Sequence, residues 1–358
     1  MSSCPKSPSN LTPNRQPQIA NDLAGFSRMS ENNNQKSRVA QLALRNAMQG
    51  MGSDAQPEFV EFALGAAAVS ANHAWVAVLE HCDRSLGPVL LWAQKFDATS
   101  IDIFVVSDAN LIARRVQMFD LDIRVWLMFD KKVTIAQPAA VLATSQVPQS
   151  HEQFAEIIAQ SGAEVVREHG VLSGEAMGLE VCRVVVDEND NTPRLEIGVG
   201  AHDRETFQML HGKVATLESL VKVVDIVRGH RQSGSEHHPL NRLAAERLLR
   251  HRVVNEPQLV GASSMQVVEP PVKRLNVKDA VPCCAVGATE QGQAIVVVCT
   301  AAVDVDVVAF AADARARIAP DAQLVIATHT NNVTPSLAKL AKSLRNPARF
   351  VEVVPVVR

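Results

Sequence analysis

The sequence predicts an α/β protein: two similar β-α-β-α-β units with parallel strands, flanking a central α+β module of a hairpin and helices. Three observations carry that prediction. Short apolar runs of strand length alternate with stretches of helical spacing near both ends of the chain. The middle instead carries two strand-like runs joined by turn residues and followed by helical stretches. With 358 residues, 47% hydrophobic and 20% charged, the chain is long enough for two or three cores and too apolar to be disordered throughout.

Residues 1–35 are rich in Ser, Pro, Asn and Gln and hold few large apolar side chains. Such a segment does not repay its ordering entropy and is expected to be a disordered, undocked tail. Met29 stands within it as an alternative start. Val39, Leu42, Leu44 and Met48 mark a short amphipathic helix. The first unit, placed at 36–140, has strands at Ala74–Leu79, Ile101–Val106 and Ile123–Phe129. Asp83 opens one intervening helix, and Ser107 or Asp108 the other. Strand-helix-strand order predicts parallel pairing with right-handed crossovers.

The last unit, placed at 277–358, repeats the plan. Its strands are Ala294–Cys299, Leu324–Ala327 and Phe350–Val354. Asp304 or Asp306 opens one helix, and Thr334-Pro335 opens the other. The central module, 150–255, begins with a helix over His151–Glu168. Strands at Leu179–Val186 and Arg194–Val199 flank the turn-rich stretch Asp187–Pro193. Helices then run over Arg204–His211, Leu217–Arg228, where Gly229 is a stop, and Leu240–Arg252. Residues 254–280 read as a connector.

Composition bounds the chemistry. A net charge of −3 excludes a uniformly basic nucleic-acid coat, and the absence of tyrosine excludes a catalytic phenol. The six cysteines form no CxxC pair, and Cys182 and Cys299 lie inside apolar runs, which points to free thiols in a reducing compartment. No apolar run reaches the roughly 18 residues of a membrane span, and no secretory h-region is present. The expected location is cytoplasmic.

Several stretches carry a resemblance. Leu195–Gly212 (LEIGVGAHDRETFQMLHG), Gly178–Val184 (GLEVCRV), His238–Leu243 (HPLNRL) and the C-terminal Val-Val-Val-Cys-Thr with Ala-Ala-Asp-Ala-Arg are similar to segments of a family of uncharacterised actinobacterial proteins. The resemblance spans roughly 57–358. It implies a lineage and a cytoplasmic location, and no chemistry.

Signatures of common nucleotide enzymes are missing: no GxxxxGK[ST], no GxSxG and no HExxH occurs, and Gly198-Val-Gly200 lacks the third glycine of a dinucleotide fingerprint. The candidate chemistry lies in the central module. Glu175 precedes the first hairpin strand, Glu180 lies in it and Glu196 in the next. Two strand carboxylates facing one way can hold a divalent metal. Their order is similar to the core of PD-(D/E)XK nucleases, with Gly198 where that core needs Lys. The alternative is a hairpin that merely alternates Glu with apolar residues.

Eight of the 11 histidines lie between His151 and His251, and His202 is the candidate base, set between Gly-x-Gly and Asp203. Arg242, Arg247 and Arg250 belong to a locally basic stretch, a candidate anion clamp for a phosphorylated ligand or nucleic acid. Its alternative is a solvated helix face. Topology adds one more place. Ligands in open parallel sheets sit beyond the carboxyl ends of strands, here Glu80, His81, Asp83, Ser107 and Asp108 in one unit and Thr300, Asp304, Thr328 and His329 in the other. The expected functions are therefore a divalent-metal phosphodiesterase or nuclease acting through the central module, or a non-catalytic binding or scaffold protein.

Overall fold

The computed structural model describes residues 35–130, 132–211, 216–232 and 238–355. The expectations for the tail before residue 35 lie outside these residues. The α/β class holds, with three separate sheets, two of them mixed and the central one antiparallel.

The first sheet has six strands in chain order: β1 (Glu58–Val60), β2 (Gly65–Ser70), β3 (His73–Val78), β4 (Ser100–Val105), β5 (Asp122–Phe129) and β6 (Lys132–Ile135). β3, β4 and β5 are parallel, as expected of apolar runs joined by helices. β1, β2 and β6 add antiparallel pairs. The crossover helices α2 (Leu86–Ala93) and α3 (Ala109–Val116) cover one face. The other face lies under α1 (residues 35–50), whose Leu44, Ala47 and Met48 pack on Trp75, Ala77 and Phe104. That face also buries Asp102, fully enclosed on β4. Its carboxylate accepts from His73 at 2.8 Å, Arg124 at 2.7 Å and Trp126 Nε1 at 2.7 Å.

The C-terminal sheet, numbered after the central elements, shows the same order and sense. β11 (Ser264–Val268) and β12 (Cys283–Ala288) are antiparallel additions to the parallel trio β13 (Ala294–Thr300), β14 (Gln323–His329) and β15 (Ala348–Val353). Helices α9 (Val307–Ile318) and α10 (Pro335–Lys342) cover one face, and α8 (Ala245–Asn255) covers the other with Leu249 and Val253. The Thr334 hydroxyl caps α10 by accepting from Leu337 N–H at 3.2 Å, as the Thr-Pro pair foretells. The parallel trios match the expected units. The sheets are not purely parallel, however, because the small-residue strands β2 and β12 pair beside them and β11 lies within the supposed connector.

The two units meet helix to helix and share one core. α9 touches α2 and α3, and α10 touches α2. Just beyond α3 and α10, Phe119 bridges Leu344. Asp120 N–H donates to Ser343 and Arg345 N–H to Met118, each at 2.9 Å. These reciprocal bonds form a short antiparallel bridge between the units. At the closest approach, a Cβ on Gly87 would lie 2.0 Å from the Val305 carbonyl oxygen, so only glycine fits.

The central module is a four-stranded antiparallel sheet in the order β10-β9-β8-β7. Its strands are β7 (Glu164–Glu168), β8 (Val171–Ala176), β9 (Leu179–Val186) and β10 (Pro193–Ile197). The β9–β10 hairpin forms as expected. Its turn is held by Asp187, which accepts from Asn189 N–H at 3.0 Å, and by Asp190, which accepts from Thr192 N–H at 3.0 Å. The helix expected over 151–168 is instead α4 (Gln149–Glu152), α5 (Ala155–Gln160) and strand β7. Gly162, at φ +84°, ends the helical path. Helices α6 (Gly200–His211) and α7 (Leu217–Arg231) follow. α7 runs through Gly229 rather than stopping there. The last expected helix begins with a 3-10 turn, Pro239–Arg242, and becomes α-helical only at Ala245. No helix among the described residues is long and apolar enough to cross a membrane.

Candidate functional site

Strand pairing places Glu196 opposite Arg183, and a register shift in the β8–β9 pair, from Gly174↔Cys182 to Glu175↔Glu180, turns Glu180 to the same side. The structure brings both onto one cation. Arg204, from the second turn of α6, reaches Glu180 at 3.1 Å and Glu196 at 3.3 Å. Arg183 adds a two-pronged contact to Glu180 at 2.8 and 2.9 Å. Arg194 at 2.7 Å and Gln208 at 2.8 Å complete Glu196, and Arg194 also holds Asp187 at 3.2 Å. The convergence expected from the sequence is present, and a guanidinium occupies its centre. Among the described residues, no group of three or more His, Cys, Asp or Glu is arranged to hold a metal ion.

His202 lies exposed in the first turn of α6 and makes no hydrogen bond to either carboxylate; its carbonyl accepts from the Thr206 hydroxyl at 2.9 Å. Its neighbour Asp203 secures the strand-to-helix turn by accepting from Val199 N–H at 2.7 Å.

The arginines divide. Arg242 is exposed on the 3-10 turn, with no hydrogen-bond or ion-pair partner among the described residues. Arg247 and Arg250 point from α8 into the central sheet and are buried. There they alternate with Glu168 of β7 and Glu175 of β8 in a closed ring, each guanidinium touching both carboxylates. Burial raises the Glu168 pKa, but the Arg250 and Arg247 guanidiniums outweigh it and hold the carboxyl below its ordinary value. Arg250 is driven the other way: burial opposes its charge, and the attraction of Glu168 and Glu175 raises its pKa well above normal. Next to the ring, the β8–β9 turn lies on the α8 backbone. A Cβ on Gly178, whose φ is +77°, would sit 2.3 Å from the Arg247 carbonyl.

Arg231 is fully buried at the end of α7. It donates to the carbonyls of Leu240 and Leu243 at 2.8 Å, and burial lowers its pKa to about 10. Sequence reasoning missed the parts played by Glu168, Arg183, Arg204 and Arg231. The ring partners are 72 to 82 residues apart, and no local pattern announces such pairs.

The strand-end clusters of the two units also meet, as a closed contact. Arg84 pairs with Asp304 at 3.1 Å, Arg115 with Asp306 at 3.3 Å, and Gly87 N–H donates to Asp306 at 2.7 Å. Arg114 grips Asp313 at 2.8 and 2.9 Å. Burial pushes Asp306 up to about 6, against the pull of Arg115. Comparison with known protein families, curated proteins and solved structures found no match to this chain.

Proposed function

We propose that this chain is a non-catalytic binding or scaffold protein, with the central module as its interaction platform. One observation carries the reading. The carboxylates expected to hold a metal, Glu180 and Glu196, are already neutralised by Arg183, Arg194 and Arg204, and two of the three expected clamp arginines are neutralised by Glu168 and Glu175. A metal would have to displace these cations, and a phosphate would have to displace buried carboxylates. The outer sides of α6 and α7 meanwhile leave apolar side chains in solvent: Met209 is 85% exposed, Leu210 74% and Ile226 59%. Exposed apolar groups on these helices suit a protein partner. What supports an anionic partner, nucleic acid or a phosphorylated ligand, is Arg242, exposed and without a partner among the described residues, which amounts to one phosphate contact.

Calorimetric titration with Mg2+ and Mn2+, paired with hydrolysis of bis(p-nitrophenyl) phosphate in either metal, tests this reading. The expected result is no saturable heat and no turnover above buffer. A stoichiometric heat, with turnover that Glu180→Gln removes, would restore the metal phosphodiesterase.

A further inference from the structure

A groove of about 860 Å3 lies between the start of α1 and the outer edge of the first sheet. Val39 and Ala40 line it from α1, Phe59 and Val60 from β1, and Phe62 and Leu64 from the link to β2. This is the size of a cleft for a ligand or a short stretch of peptide rather than for one side chain. Val39 is 58% exposed, and Phe59, Val60, Phe62 and Leu64 are only half-buried. Apolar surface gathered in this way marks a contact site. β1 is also the last strand of its sheet, so its outer backbone edge meets no further strand among the described residues. Such an edge is a template for pairing with another chain unless something covers it.

The chain supplies an occupant of matching chemistry. Gln35 lines the groove and opens α1, so the 34 residues before it are tethered at the groove itself. Their prolines end at Pro17. Beyond it, Ile19, Leu23, Phe26 and Met29 follow one another at spacings of four, three and three, a single apolar stripe at the helical period. The average composition of residues 1–35, which gave the expectation of an undocked tail, hides this stripe, because the polar residues lie mostly before Ile19 and after Met29. Residues 30–34 join Met29 to α1 and reach up to about 20 Å when extended. A segment on so short a tether has an effective concentration on the order of millimolar, which a free partner of equal affinity does not match. Charge agrees with apolar pattern: Glu61 lines the groove with no ion-pair partner among the described residues, and Arg28 stands two residues beyond Phe26.

We propose that this groove is the docking site for residues 19–29 of the same chain, with Ile19, Leu23 and Phe26 set against Val39, Phe59 and Phe62. Docked there, the segment covers β1 and denies that edge to a second chain. The groove is separate from the α6–α7 surface and independent of that reading.

The test uses the full chain in two measurements. In the first, p-benzoylphenylalanine replaces Leu23, isotopically light and heavy chains are mixed, and the mixture is irradiated and mapped by mass spectrometry. Links from position 23 to residues 59–66 within one chain are expected. In the second, hydrogen exchange compares the parent with Leu23→Asp combined with Phe26→Asp. The amides of residues 58–64 are expected to exchange about tenfold faster in the variant, with β13 and β14 unchanged. Faster exchange that extends to β13 and β14 means the variant has lost its fold, and the cross-link then decides. Links between light and heavy chains put a second copy in the groove, links only to other surfaces place the segment elsewhere, and equal exchange in parent and variant leaves the groove uncovered. Each of these three results overturns the proposal.

Discussion

The two α/β units share the order and sense of five strands, β6 being an addition to the first, yet the helices on their outer faces are used differently. In the N-terminal unit, α1 sets Leu44 and Met48 on the sheet, while its opposite side, with Leu42 59% exposed, faces solvent. In the C-terminal unit, α8 sets Leu249 and Val253 on the sheet and uses its other side to anchor the central module through Arg247 and Arg250. An outer helix needs only one apolar stripe to cover a sheet. What its remaining positions carry decides whether it ends a domain or joins the next one.

The sharpest way to break the comparison is to remove one cation from the joining helix. Arg250→Ala leaves Glu168 and Glu175 buried with half their neutralisation gone. The expected loss is about 3–5 kcal/mol, the range for breaking a buried pair, read as a lower urea midpoint. Leu42→Ala on the solvent side of α1 is the matched control, expected within about 0.5 kcal/mol of the parent. Equal losses would show that α8 has no special joining role. The next effect is steric. Gly178→Ala adds a Cβ where the Arg247 carbonyl already lies, at a positive φ, and is expected to cost about 1–3 kcal/mol in the same measurement.

The smallest effect concerns the contact between units. Folding raises the Asp306 pKa to about 6 from its ordinary value of 3.8, chiefly through burial, so the folded state holds the proton more tightly. Its stabilising contribution is complete below about 3.8 and is lost as pH rises through about 6. Asp306→Asn is therefore expected to flatten the fall in unfolding midpoint between pH 4 and 6. An unchanged slope across that window would remove Asp306 as its source.

The legible parts of this fold are those governed by local pattern. β3, β4, β13 and β14 read directly because strands buried on both faces are continuous apolar runs. The β9–β10 hairpin read because Asp187 and Asp190 write turn chemistry into consecutive residues. β2 (GAAAVS) and β12 (CCAVGA) did not, since Ala and Gly have low strand propensity and become strands by pairing with a stronger neighbour. β7 reads as helix in the sequence because Val165 and Val166 suit either period. At the candidate site, two strand carboxylates are legible as a pair, but plain alternation does not put them on one face: Glu196 lies opposite Arg183, three residues from Glu180, and the register shift between Gly174↔Cys182 and Glu175↔Glu180 turns Glu180 to the same side. Neither that bulge nor the group between the carboxylates is written in the local pattern. Arg204 arrives from another element, and its partners are set by tertiary packing alone.

The helix-to-helix contact between the units carries a consequence for synthesis. The apolar sides of α2 and α3, with Val89, Leu90, Ile112 and Val116, are completed only by α9 and α10. About 190 residues separate Val116 from Val307, and ribosomes add roughly 5–20 residues each second, so this face waits on the order of 10–40 s for its cover. The nascent N-terminal half thus emerges with both faces of its sheet covered by its own helices but with the outer sides of α2 and α3 bare, a species that invites chaperones or premature pairing with a neighbouring chain. Its vulnerability is a matter of time rather than of final stability, and the length of the central module sets how long it lasts.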